Sequence, residues 1–352
     1  MKLTRAALLT ILALGAALTY FVARIQQKGP TLPPGHVCRL STSWPAWRYR
    51  FLKGPGLLMC GPYAFAVLPN RAVFTPTEDR RAIAQFDWSG NLVHMWRANS
   101  CSDALSDVAV SGQTLVAGSW DASRIVVFDM KTGNDRVVNL SDGAKTSLPE
   151  DLDSPVVARV EIDSNHGIHA ILKRSKGYAH AVVSPDMNHV EMRPDPFASG
   201  GIPSPYGGLA GKKNIDVHLE LGYDIVHTEL HSYENGHGET VLDSFEGDKL
   251  ILADLIGYSA DGSLYFTCVR AAASKHPAAF EVYRFRYGKP RQYLADLGWP
   301  YPVVPTWQGE PRKFVVTSDG SVYEMDTVTR PTQAGQRMEF DLVKLHSKIP
   351  VQ

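Results

Sequence analysis

Three observations predict an all-β fold, a β-propeller of about six four-stranded blades preceded by an N-terminal transmembrane helix. Short β-branched or aromatic runs alternate with turn signals almost to the end of the chain. No amphipathic helix of usable length follows residue 27. The turn signals recur with a period of about 40 to 60 residues, the range expected of repeating four-stranded sheets.

The chain divides into a membrane segment (1–27), a linker and lead-in (28–62), the repeating β-domain (63–346) and a short tail (347–352). In the first segment, Lys2 and Arg5 precede an uncharged run from Ala6 to Ala23, closed by Arg24. Eighteen residues at about 1.5 Å each span roughly 27 Å, nearly the hydrocarbon thickness of a bilayer. An uncleaved anchor is the preferred reading. The rival is a cleaved signal peptide, with Gly15-Ala16-Ala17 as its small-x-small site. The flanking charges do not fix orientation by the positive-inside rule. A short N-terminus with a large C-terminal domain suggests export: a single pass through the inner membrane, with the domain in the periplasm or outside the cell.

The lead-in carries Gly29, Pro30, Pro33, Pro34 and Gly35, then Trp44, Trp47, Tyr49 and Phe51. The strand-like runs begin with Tyr63–Leu68, Ala72–Thr75 and Ile83–Trp88 and continue to Leu264–Val269 and Val282–Phe285. Between them the turns form two interleaved series. One should follow the inner strand of each blade: Pro69-Asn70, Ser111-Gly112, Asn165-His166-Gly167, Gly222, Asp261-Gly262 and Asp319-Gly320. The other should join two outer strands: Ser89-Gly90, Thr132-Gly133, Asp186-Met187-Asn188, Asn235-Gly236, Tyr287-Gly288 and Gly335. The fourth and last members are weak signals, which leaves five to seven blades open. Ser259–Tyr265 and Thr317–Tyr323 also match in letters, each with an Asp-Gly pair that suits a tight hairpin.

Phe86-Asp87-Trp88-Ser89-Gly90-Asn91-Leu92-Val93-His94-Met95-Trp96 resembles the outer hairpin of quinoprotein-like and arylsulfotransferase-like propellers, and Phe128–Gly133 is similar. The resemblance implies that Asp and Gly shape each hairpin while the aromatics pack between blades. It covers about twenty residues and implies architecture rather than activity.

Composition narrows the function classes. Thirty-six basic residues balance 36 acidic ones, so the chain lacks the electrostatic footprint of a nucleic-acid binder. There is no nucleophile elbow, P-loop, dinucleotide fingerprint, H-E-x-x-H helix, EF-hand loop or C-x-x-C-H haem site. Cys38, Cys60, Cys101 and Cys268 are even in number and beyond an export segment, which predicts two disulfides of undetermined pairing or, alternatively, buried thiols.

In a propeller the loops joining second to third strands, and one blade to the next, share one face. That loop face should carry function, because binding residues concentrate on loops of a rigid scaffold. It would present Arg80, Trp120, Asp121, Arg174, Lys176 and Arg270, a partly basic set able to receive a small anionic ligand or a protein. Eight of the twelve histidines lie between His166 and His237. On extended strands His227, Glu229 and His231 share a face, and Asp216, His218 and Glu220 another. Imidazole with carboxylate suits a divalent metal or a general base. The alternating polar pattern equally suits a solvent-facing strand. Trp299–Pro302 and Trp307 form an aromatic connector suited to packing.

The leading functional expectation is therefore a binding or scaffold module in a cell-envelope process. The alternative is an envelope enzyme, arylsulfotransferase-like or a metal-dependent hydrolase, using histidines of the 218–231 region. No cofactor is specified beyond that divalent metal, and no catalytic residue is identified.

Overall fold

The structure, a computed structural model, describes residues 36–40, 64–77, 81–120, 122–140, 156–163, 165–173, 178–193, 208–210, 213–221, 227–234, 237–246, 250–270, 279–286, 289–296, 314–332 and 335–345. The described strands form six four-stranded antiparallel sheets.

Five sheets are laid down in chain order. They comprise β2 (Ala66–Leu68), β3 (Ala72–Pro76), β4 (Ala82–Asp87) and β5 (Leu92–Arg97); and β6 (Leu105–Ser111), β7 (Thr114–Ser119), β8 (Arg124–Asp129) and β9 (Asp135–Asn139). The third has β10 (Val156–Ile162), β11 (Ile168–Lys173), β12 (Tyr178–Val183) and β13 (Val190–Arg193). The fourth has β14 (Gly208–Ala210), β15 (Lys213–Leu221), β16 (His227–Glu234) and β17 (His237–Glu246). The fifth has β18 (Leu250–Tyr258), β19 (Leu264–Arg270), β20 (Ala279–Phe285) and β21 (Gln292–Asp296). In the last sheet β22 (Phe314–Val316), β23 (Val322–Thr332) and β24 (Gly335–Leu345) are completed at the outer edge by β1 (His36–Leu40). The stretch expected to be a lead-in thus supplies the fourth strand of the last blade.

First strands of successive sheets stand side by side: β2 by β6, β6 by β10, β14 by β18 and β18 by β22. That radial arrangement is a β-propeller. The middle strands of the first three blades are largely apolar because each sheet is sandwiched between neighbours, whereas β15 and β16 alternate apolar with polar residues. All five residues of β3 are buried, whereas β5 is mostly accessible. Phe74, Ile83 and Trp96 of the first blade pack with Leu105, Leu115 and Phe128 of the second. Val116 and Val127 pack with Val157, Val160 and Leu172 of the third. Val67, Val73 and Phe86 meet Val315, Tyr323, Leu342 and Cys38, which joins the last blade to the first.

With one exception the described members of the two turn series fall at one end of the propeller, the first series between strands one and two of a blade and the second between strands three and four; Gly222, Asn235-Gly236 and Tyr287-Gly288 lie outside the described residues. Asn70 and His166 adopt the left-handed conformation, as do Gly112, Gly262 and Gly320 in the first series and Gly90, Gly133 and Met187 in the second. The exception is Gly335, which opens β24 after β23 and so belongs to a second-to-third strand connection at the opposite end. A lone glycine without an Asx partner does not distinguish the two kinds of turn.

The expected hairpin chemistry is present. The Asp87 carboxylate accepts the backbone N–H groups of Ser89 and Asn91 at 2.8 and 2.9 Å, and Gly90 closes the turn with φ of 86°. Trp96 meets Phe128 edge-on at 6.2 Å and Trp88 meets Tyr323 at 5.9 Å, so these aromatics bridge blades on either side.

The expected anchor and its rival signal peptide lie outside the described residues, as does the tail. Among the described residues no helix is long and apolar enough to cross a membrane. The two-disulfide expectation is corrected: Cys38, Cys101 and Cys268 are thiols, and Cys60 lies outside the described residues. Cys38 and Cys268 are buried in the blades, on β1 and β19, where they serve as small apolar core residues.

Candidate functional site

The inner strands bulge where they approach the axis. Register shifts fall between Leu105 and Val108 in β6, between Val157 and Arg159 in β10, and between Leu255 and Gly257 in β18. A bulge breaks strict alternation and re-aims side chains. In β10 it leaves Val157 and Val160 in the apolar core while Arg159, Glu161 and the following Asp163 line a central cavity.

That cavity has a volume of about 890 Å³ and lies at the turn end of the propeller. It is walled by residues of β2, β6, β10, β18 and β22 and the turns that follow them. Val67, Val110, Ile256 and Val316 supply apolar surface; Arg159, Glu161, Asp163 and Asp319 supply charge. Gly257 is needed on this wall. A Cβ there would stand 2.8 Å from the Val316 side chain, and its φ of 155° disfavours other residues.

The polar groups are fixed before any ligand arrives. Arg159 and Glu161 pair at 2.7 Å, with side chains only 5% and 16% exposed. The inward edge of β10 is capped by the neighbouring blade: Ser106 Oγ donates to the Val157 carbonyl at 2.5 Å, and Asp107 accepts the Val160 N–H at 2.8 Å. Asp163 Oδ1 accepts the N–H groups of Asn165 and Gly167 at 2.7 and 2.8 Å. Its Oδ2 lies 3.0 Å from His169 Nε2, and His169 Nδ1 lies 3.0 Å from His180 Nε2. With both rings neutral, Asp163 requires the proton on His169 Nε2, and His180 then donates from Nε2 to His169 Nδ1. Burial pushes the Asp163 pKa up, but the hydrogen bonds from His169, Gly167 and Asn165 outweigh it and the net shift is downward. Asp163 is thus a carboxylate held ionised at the cavity edge, backed by a buried two-imidazole chain.

Of the set expected on the loop face at the opposite end, Trp120 and Arg270 fall among the described residues. Arg80, Asp121, Arg174 and Lys176 lie outside the described residues. Trp120 is half-buried, its N–H donating to the Ala104 carbonyl at 2.6 Å. Arg270 ends β19, paired in register with Leu250 and Ala279. Of the metal candidates, backbone register sets His218 directly opposite His231, and Glu229 opposite Glu220. His227 pairs instead with Glu246 of β17. The side chains of these candidates lie outside those described; among the described residues no cluster of three or more metal-ligating side chains occurs.

The cavity residues were missed although a signal existed. Arg159, Glu161 and Asp163 are charged at every second position on a run otherwise rich in valine. In a buried inner strand that pattern marks the face turned to the axis.

No family model matches the sequence, and no curated protein matches it. Several solved structures are similar to the chain at low identity. Hydrazine synthase of Kuenenia stuttgartiensis is 12% identical over 78% of this chain and 76% of that one, with a TM-score of 0.44. Virginiamycin B lyase from Staphylococcus aureus is 12% identical over 81% of this chain and 95% of that one, with a TM-score of 0.43. The extracellular domain of a one-component system from B. thetaiotaomicron is 10% identical over 80% of this chain, with a TM-score of 0.37, and the match spans 32% of that longer protein. The propeller assignment rests on this chain's own repeat of four-stranded sheets.

Proposed function

We propose that the protein is a binding module whose ligand occupies the central cavity at the turn end, held at the outer face of a membrane by the Ala6–Ala23 segment. The observation that carries this reading is the cavity itself. Its volume falls within the roughly 300–1,000 Å³ typical of ligand sites, and a few fixed polar groups interrupt a largely apolar lining. The ligand has an apolar body and a hydroxylated or cationic group, because three carboxylates face one guanidinium that is already paired. Native mass spectrometry of the full chain extracted gently from membranes tests the reading. The expected result is a mass above that of the polypeptide, released on denaturation. A chain at its polypeptide mass, with a melting temperature unmoved by lipid or aqueous extracts of the same membranes, contradicts it.

A second reading rests on the β15–β16 register. Directly opposed residues of an antiparallel pair have Cβ atoms about 4.5–5.5 Å apart, so His218 and His231, with Glu229 two positions along, occupy positions from which a divalent metal can be held. This is the basis for a metal-dependent envelope enzyme. Stoichiometric zinc or calcium in the purified chain, lost on His218→Ala or His231→Ala, supports it; a metal-free chain rejects it.

A further inference from the structure

The path of β1 fixes which end of the propeller the N-terminal segment leaves from. The β22–β23 turn at Asp319-Gly320 belongs to the cavity end, so β23 runs away from that end and β24 returns to it. β1 is antiparallel to β24, beginning at His36 opposite Val343 and ending at Leu40 opposite Phe340. The chain therefore enters β1 from the cavity end.

Only residues 24–35 separate the apolar run from His36. Twelve residues span at most about 42 Å when fully extended. To place the opposite end against the bilayer, that tether would have to run back along the blade. His36 lies opposite Val343, so the run back to Gly335 at the far end of β24 covers eight residues, about 27 Å at roughly 3.4 Å per residue. That run and the loops beyond it would take up most of the tether, whereas the cavity end needs none of it.

We propose that the cavity end faces the bilayer and that the cavity takes up an amphiphile from the membrane's interfacial layer, its polar head at Glu161, Asp163 and Asp319 and its apolar part against Val67, Val110, Ile256 and Val316. This rests on the anchored reading of Ala6–Ala23 and on the cavity reading above. It gives the unusual placement of a polar-edged cavity among tight turns a purpose, since ligands then enter from the side where the chain is tethered.

Site-specific fluorophores on the full chain in lipid nanodiscs with a headgroup-attached quencher test it. Cys60 and the half-buried Cys101 are replaced by serine, and Gln113→Cys marks the cavity end while Ser102→Cys marks the loop end. Both positions are exposed. The expected result is quenching at residue 113 and little at residue 102. Equal quenching, or stronger quenching at 102, overturns the orientation while leaving the cavity reading intact. A chain found processed near Leu18, or released from the discs, overturns the anchor and this inference with it. Correct orientation with a ligand that partitions from the aqueous extract alone overturns the amphiphile.

Discussion

Asp163 shows how one side chain serves both turn and cavity. It stops β10, accepts two backbone N–H groups in the turn, and presents its charge to the cavity edge with His169 behind it. Because its folded pKa is lowered, its contribution to stability is fully present above the ordinary carboxylate value of about 4 and is lost as pH falls through the lower folded value. Asp319 is lowered by Thr317 and Ser321, and Asp87 is lowered by Asn91, Ser89 and Gly90 despite its burial. Urea unfolding should therefore show stability dropping between pH 5 and pH 2, and Asp163→Asn should flatten part of that drop. A pH-independent midpoint would contradict the assignment. The cysteines give a second check. Burial, with Asp341 and Asp87 nearby, pushes the Cys38 thiol up to about 12, so it should resist alkylation in the native state. Denatured, non-reduced protein should expose at least the three thiols of Cys38, Cys101 and Cys268, where a disulfide-linked chain would expose fewer.

Among the elements, the outer hairpins were the most legible in the sequence. Asp87-Trp88-Ser89-Gly90 and Asp129-Met130-Lys131-Thr132-Gly133 each carry their own instructions: a carboxylate that caps the turn and a glycine at positive φ. Two other features were illegible, for a physical reason. β1 is five residues long, remote in sequence from its partner, and defined by β24 rather than by any local signal. The cavity depends on bulges that only pairing reveals. The same hairpins allow a controlled comparison. Gly90 and Gly133 both have positive φ, but a Cβ at Gly133 meets open space while one at Gly90 collides with β1. Gly133→Ala should cost about 1–2 kcal/mol from backbone strain alone, and Gly90→Ala clearly more, because β1 must shift. Equal losses in chemical denaturation would mean that β1 does not dock there. Arg39 pairs with Asp341 through two bonds, at 2.6 and 2.7 Å, across the β1–β24 ladder. Asp341→Ala leaves that guanidinium largely buried without its carboxylate and should cost about 3–5 kcal/mol, read as a lowered denaturation midpoint. A loss below that of Gly133→Ala would remove the clamp from the account.

On the scale of the whole molecule, the blades form a rigid frame whose two ends differ. The loop end has its own stitching, for example Arg124 and Ser119 on Asp103 and Arg81 on the Ser102 carbonyl at 2.7 Å. The turn end carries a large cavity with ionised and prearranged groups. The account's central claim is that ligand binds at the turn end. The most direct measurement is native mass spectrometry of two full-length variants beside the parent. Ser111→Trp with Ala260→Trp places bulk on two accessible positions at the cavity edge, and Arg80→Ala with Arg174→Ala strips charge from the loop end. The account predicts that the capped variant melts like the parent stripped of ligand and has lost the bound mass, while the arginine variant keeps it. Bound mass retained by the folded capped variant and lost from the arginine variant would contradict it.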